Sequence, residues 1–198
     1  MSGDVYTHGH HDSVLRSHRW RTAENSAAYL LGHLAPGTQL LDVGCGPGTL
    51  TVDLARRVAP GRVVGVDVAD DVVAEARRHA TAEGAANVEL RAGDFRTLDL
   101  AEGSFDVAHA HQVLQHLQDP VGALAHMGRL VRPGGLVAVR DSDYQAFTWA
   151  PANPGLERWL DAYMQVTRRN GAEANAGRHL LGWAHAAGFD DVTYSTST

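Results

Sequence analysis

The sequence predicts an α/β fold, a doubly wound, Rossmann-like and mostly parallel sheet with helices on both faces, and three observations carry that prediction. Apolar strand-like runs alternate with segments of helical period along the chain. One such run, Leu40-Leu41-Asp42-Val43, breaks into Gly44-Cys45-Gly46-Pro47-Gly48-Thr49 and then enters a helical pattern, which is a strand, a tight turn and a helix start in order. A second run, Arg62-Val63-Val64-Gly65-Val66-Asp67-Val68, ends on a carboxylate about 20 residues beyond the glycines.

The elements follow from local chemistry. An opening helix is expected from Ala23 to Leu34, with Ala27, Leu30, Leu31 and Leu34 on one face and Pro36-Gly37 ending it. After the glycine turn, Leu50, Leu54 and Val58 recur every four residues until Pro60-Gly61. Asp70 to Glu83 reads as the next helix, opened by Asp70 and Asp71 in capping position and closed by Gly84. Val88 to Asp94 alternates as a strand. Asp119-Pro120 starts a helix reaching about Leu130, where Pro133-Gly134-Gly135 precedes a buried strand. Asn153-Pro154 repeats the start device for a helix carrying Leu156, Trp159, Leu160, Tyr163 and Met164. A short helix from His179 to Ala187 and a strand near Val192 to Ser197 finish the pattern.

Glycines at 44, 46 and 48 supply backbone freedom where a Cβ would block either the turn or a ligand lying against the main chain. Such a loop before a helix suits a nucleotide-like cofactor. A carboxylate ending the second strand can accept both hydrogens of a ribose diol, which makes Asp67 the candidate for that contact. Position 49 is Thr where the dinucleotide fingerprint wants its third glycine.

Asp42-Val43-Gly44-Cys45-Gly46-Pro47-Gly48 resembles motif I of the class I S-adenosylmethionine (SAM)-dependent methyltransferases, with closest similarity to the ubiquinone/menaquinone-type small-molecule enzymes. Asp94-Phe95 and the junction Leu130-Val131-Arg132-Pro133-Gly134-Gly135-Leu136 also resemble that family. The resemblance implies SAM as cofactor, held by Asp42, Gly44, Cys45, Gly46, Gly48, Asp67, Val68, Asp94, Phe95, His111 and Gln112. Within that set it gives Asp94 the adenine amino group, Phe95 the cover of the ring, and His111 and Gln112 the methionine half. Cys45 is read as a backbone donor with a small side chain. His111 and His116 are the candidate bases, since imidazole moves protons near neutral pH.

Arg140, Asp141 and Tyr144 follow the fifth strand at the end where ligands of open α/β sheets gather, and they are the candidates for facing substrate. Residues 1–22 are expected to form an N-terminal lid over cofactor or substrate, or a flexible segment, with Arg19 or Arg21 near a carboxylate, ahead of one SAM-binding domain over residues 23–198. His8, His10 and His11 cluster there, but without a helical pair, a carboxylate or a cysteine set, so no metal is expected.

With 198 residues the chain fits one compact domain. Its 17 basic and 23 acidic residues leave a formal charge of −6, so neither nucleic acid nor an anionic membrane is an expected partner. The expected partner is a small-molecule acceptor, with oligomeric state open and a dimer included. The single cysteine, the absence of an 18-residue apolar stretch and the lack of a signal-like N-terminus lead to an expected cytoplasmic location. The family's sheet usually ends in a hairpin whose last strand inserts antiparallel beside the fifth. This sequence stops in or just after the strand that would begin the hairpin, so a shortened chain or a missing strand is expected, with an open sheet edge. Two other functions fit parts of the pattern: a SAM-binding protein without catalysis, and a nicotinamide oxidoreductase sharing the glycines and Asp67.

Overall fold

The computed structural model describes residues 20–197, which separate into two units. The larger comprises residues 20–111 and 126–139, and the smaller residues 112–125 and 140–197.

The larger unit opens with α1 (Ala23–Ser26) and α2 (Ala28–Leu31), where the sequence predicts one continuous helix. Ala27 between them has φ −135° and ψ 25°, which no α-helix accommodates. A reciprocal Thr22/Asn25 capping box sets the start of α1, and the Ser26 hydroxyl donates to Asn25 Oδ1. Side chains that bond so locally compete with helix continuation. Then come β1 (Leu40–Val43), α3 (Thr49–Val58), β2 (Val63–Asp67), α4 (Asp70–Ala82), β3 (Val88–Ala92) and β4 (Phe105–His111). The helix α5 (Pro120–Leu130) leads into β5 (Val131–Arg140).

The sheet order is β3-β2-β1-β4-β5, with β1 parallel to both β2 and β4 and β2 parallel to β3. Chain order reverses beside β1, since β2 and β4 flank it, and this is the switch point where open α/β sheets bind ligands. Helix α3 supplies two cores. Leu54 and Val58 pack with Leu30, Leu40, Val63 and Val107, while Val52 packs with Val73, Ala76 and Leu90. The predicted spacing of Leu50, Leu54 and Val58 is therefore a buried stripe.

Asp70 and Asp71 lie within the first turn of α4 rather than at its cap. Ala69 holds the N-cap position without a side-chain bond, and Asp67 Oδ1 instead accepts from Ala69 N at 3.1 Å. Asp67 thus takes part in that turn as well as ending β2.

In the smaller unit, a 3-10 turn (Leu114–His116) precedes Asp119, whose carboxylate accepts from Gly122 N at 2.8 Å at the start of α5. Helix α6 (Pro154–Arg169) begins as predicted, with Asn153 Oδ1 accepting from Gly155 N and Leu156 N. Helix α7 (Ala176–Ala186) starts three residues before the predicted His179. Residues 192–197, expected to be a strand, are irregular, with Ser197 Oγ accepting from the Arg140 guanidinium at 3.1 Å. Among the described residues no helix is long and apolar enough to cross a membrane.

Candidate functional site

The glycine loop is held from β2. Gly44 N and Cys45 N both donate to Val66 O, at 2.7 and 3.0 Å, and Gly46 N donates to Asp67 Oδ2 at 3.0 Å. Gly44, Gly46 and Gly48 have φ of 69°, 55° and 81°, so three left-handed residues within five turn the chain from β1 into α3. The Cys45 N–H, expected as a donor to ligand, is therefore used inside the fold. The loop ends at Gly48, the N-cap of α3.

Asp67 is half-buried, at the C-terminal end of β2. Its two oxygens accept from Gly46 N and from Ala69 N, so the acid ties the glycine loop to the start of α4. Val68 beside it is 68% exposed.

Beneath the loop lies a second carboxylate that sequence reasoning placed only by motif. The β1–β4 register sets Asp42 opposite His109. Asp42 Oδ1 is 2.8 Å from His109 Nδ1, and Oδ2 accepts from the Thr51 hydroxyl at 2.6 Å. All three residues are buried, His109 and Thr51 completely. His109 was missed because its signal was one more residue in an apolar strand. The cue available was an imidazole on a fully buried strand, at the register position facing the motif acid.

A pocket at the loop is lined by Arg21, Asp42, Gly44, Cys45, Pro47, Thr49, Leu50 and His111. His111, the last residue of β4, is buried in its wall. Burial pushes the Cys45 thiol up, and the nearby charges of Asp42 and Asp67 push it further, so it is no nucleophile at neutral pH.

Asp94 is gripped by Arg96: its oxygens accept from Arg96 Nε at 2.9 and 3.1 Å and from Nη2 at 2.7 Å. That guanidinium holds the Asp94 carboxyl below the usual carboxylate range. Phe95 is 5% exposed and meets the His126 ring edge-on at 5.6 Å, so its visible role is core packing.

In the smaller unit Gln112 has φ 57°, the single non-glycine residue among those described with positive φ. Its N–H donates to Arg140 O at 2.7 Å and its amide to Ser142 Oγ at 3.0 Å. His116 is buried in its 3-10 turn, with Nε2 3.2 Å from the Gln115 amide nitrogen. Asp141 Oδ1 accepts from Gln115 N at 3.1 Å. Tyr144 is 7% exposed, and its ring packs at 4.3 Å and a 35° tilt against Tyr163, so Asp141 and Tyr144 both have partners within their own unit. Arg19 and the His8, His10 and His11 cluster lie outside the described residues. Among those described, no group of His, Cys, Asp and Glu is arranged to hold a metal.

A glycine loop under a parallel switch point, an acid at the end of β2 and a second acid below the loop form one arrangement. Residues 34–188 match the methyltransferase domain family. The chain belongs to the class I SAM-dependent methyltransferases. It is 33% identical to an uncharacterized methyltransferase of Schizosaccharomyces pombe, over 98% of this chain and 72% of that one. It is 38% identical to nocamycin O-methyltransferase of Saccharothrix syringae, over 66% of this chain and 44% of that one. The fold matches a SAM-dependent methyltransferase from Aquifex aeolicus with a TM-score of 0.62 at 20% identity, covering 80% of this chain and 88% of that one. The methyltransferase chain spans 55 to 72% of the length of the curated relatives it matches over most of its own sequence.

SAM is the cofactor of this methyltransferase, and the site's own chemistry fits it. Two carboxylates, Asp42 and Asp67, lie near enough to the loop to raise the Cys45 thiol. An acceptor such as Asp67 at the end of β2 suits a ribose diol.

Proposed function

We propose that this methyltransferase moves a methyl group from SAM to a small-molecule acceptor by in-line displacement. The observation that carries the reading is the 3.0 Å bond from Gly46 N to Asp67 Oδ2, which ties the glycine loop and the β2 acid into one cradle. In this reading Asp67 takes the ribose diol with Val68 beside it. Gly44, Cys45, Gly46 and Gly48 leave room for the cofactor against the main chain. Arg21, on the pocket wall, pairs with the cofactor's carboxylate. Asp94 and Phe95 serve the adenine end, which requires the Arg96 guanidinium to swing aside, and Gln112 serves the methionine half.

When bound, SAM supplies a methyl carbon made electrophilic by a sulfonium. The residues do the positioning, which alone is worth up to about 7 to 11 kcal/mol in the best cases. With SAM bound, the His111 imidazole on the pocket wall would take the proton that the acceptor gives up. Arg140, Asp141, Tyr144 and Arg19 are assigned to the acceptor side, with residues 1–22 as a lid. The name of the nocamycin relative supports a small organic acceptor.

The test is transfer of a labelled methyl group from SAM across a panel of small phenols, carboxylic acids and amines, with calorimetric titration of SAM and NAD alongside. Label in one acceptor class is the expected result. SAM binding without any transfer makes the protein a non-catalytic binder, and NAD binding without SAM overturns the reading.

A further inference from the structure

Within the smaller unit, the rings of Tyr144, Phe147, Trp159 and Tyr163 are in mutual contact, and two of them are half uncovered. Buried Tyr144 is the middle ring, 4.8 Å from Phe147, 6.2 Å from Trp159 and 4.3 Å from Tyr163. Phe147 and Trp159, each seated against it, are 44% and 47% exposed. Trp159 also stacks on Tyr163 at 5.8 Å, with the planes 15° apart. On α6, Leu156, Trp159, Leu160 and Tyr163 follow one another at intervals of helical period, so they share one stripe, and exposed Leu156 extends the uncovered area. The exposed Glu157, Arg158 and Asp161 fall off that stripe, which therefore carries no charge. Single exposed apolar residues are ordinary on a protein surface, whereas rings joined through a buried ring make a contiguous patch.

The backbone holds these rings in place before any ligand arrives. Tyr144 N donates to Ala174 O at 3.3 Å, Gln145 N to Asn175 Oδ1 at 3.0 Å and Phe147 N to Tyr144 O at 3.2 Å, which pins the turn carrying Tyr144 and Phe147. Trp159 stands on a helix capped by Asn153. Little freedom is then left to lose on binding. Size decides the occupant. A whole aromatic side chain buries about 150 to 250 Å², so the open parts of Phe147 and Trp159 offer roughly 200 Å² together. A stable pair of protein chains needs about 800 Å² from each partner. An uncharged aromatic surface of this extent fits one face of a small neutral ring system, and aromatic rings gain from offset stacking beyond the area they bury.

We propose that Phe147 and Trp159, backed by Tyr144, are specificity-determining residues that select a neutral, flat, fused-ring aromatic molecule as the methyl acceptor. The proposal rests on the methyl-transfer reading above and adds the acceptor's class to it. A saturated ring system of the same size buries similar area without the stacking. A quaternary ammonium calls for ring faces turned towards a common point, and here the rings pack on one another.

The experiment is calorimetric titration of 2-naphthol, its saturated counterpart decahydro-2-naphthol and tetramethylammonium into the full chain, with S-adenosylhomocysteine present to fill the cofactor site. Wild type is compared with Phe147→Leu, Trp159→Leu and Trp159→Phe, and circular dichroism checks folding. Wild type is expected to prefer 2-naphthol. Each leucine variant weakens 2-naphthol roughly three- to tenfold and leaves the saturated compound unchanged, and Trp159→Phe restores most of the loss. In the labelled-methyl assay the leucine variants raise KM for fused aromatic acceptors by a similar factor with kcat kept. Equal binding of the two ring compounds by wild type, preference for tetramethylammonium, or folded leucine variants that bind 2-naphthol as wild type does, overturns the proposal. So does efficient methylation confined to non-aromatic acceptors, which leaves the methyl-transfer reading standing. A chain that shows the stacking preference and its loss in the variants yet methylates nothing keeps the aromatic site and fails the transfer reading instead. If Trp159→Leu does not fold, Phe147→Leu decides.

Discussion

Asp67 carries two demands on one side chain, holding Ala69 N at the start of α4 and Gly46 N in the loop. Its replacement by Ala removes the diol acceptor and releases Gly46. SAM affinity is expected to fall by about 1.5 to 3 kcal/mol, the worth of a hydrogen bond to a charged group, and an unchanged dissociation constant by calorimetry removes Asp67 from the site. The two histidines separate in the same way. His111 is on the pocket wall, whereas His116 packs in a short turn against Gln115. His111→Ala is expected to lose turnover or SAM affinity with its melting temperature kept. His116→Ala is expected to lose about 1 to 3 kcal/mol of stability by leaving a buried group unsatisfied; a stable His116→Ala protein with normal SAM binding and no turnover reverses the assignment. Asp67 and the glycines were legible because strand endings and backbone freedom leave marks in sequence. His109 left only the cue of an imidazole in an apolar strand, and Arg96 left none, because a side-chain rotamer is not written in sequence.

At the scale of elements, Gly48 shows how closely the cradle is built. It has φ 81°, and a Cβ placed on it would stand 2.9 Å from Ala76 Cβ and 3.2 Å from Ala76 Cα on α4. Gly48→Ala therefore adds left-handed strain, roughly 1 to 2 kcal/mol, to overpacking of about 1 to 3 kcal/mol, and should lower stability in denaturant by about 2 to 5 kcal/mol. A variant as stable as wild type would mean that α3 and α4 shift apart freely. Starts and stops of helices were readable wherever a residue's own chemistry makes the cap: Asn153 accepts from two N–H groups of α6, and Asp119 from Gly122. The split between α1 and α2 was not readable, since apolar spacing runs through Ala27 unbroken while the Thr22/Asn25 box and Ser26 set the local geometry. The irregular stretch at 192–197 likewise follows tertiary contacts, such as Arg140 to Ser197, rather than its β-favouring composition.

At the scale of the whole molecule, three titrating groups give the fold a two-step response to acid. His126 sits edge-on to Phe95 and takes a hydrogen bond at Nδ1 from the Arg129 guanidinium at 2.8 Å. Burial first, and the Arg129 charge second, hold it below the ordinary histidine range. The unfolded chain then binds a proton that the folded chain refuses, so stability falls as pH drops below about 6.5, the unperturbed value. Asp106 is lowered by the Gln39 N–H and then by Arg132, and Asp94 by Arg96. For these carboxylates the unfolded chain again binds the proton first, so their contribution is present above about 4 and lost as pH falls through the depressed folded values. Both signs point the same way, in separate windows. Melting temperature measured from pH 8 to pH 3 should therefore decline in two stages. Replacing His126 by Gln keeps an acceptor for Arg129 and removes the titrating ring, so it should flatten the upper stage and leave the lower one in place. Arg96→Met and Arg132→Met together should do the reverse, lowering stability at neutral pH and shrinking the loss below pH 4. A His126→Gln protein that retains the full upper decline would assign that stage to another histidine and refute the role of the half-buried ring against Phe95.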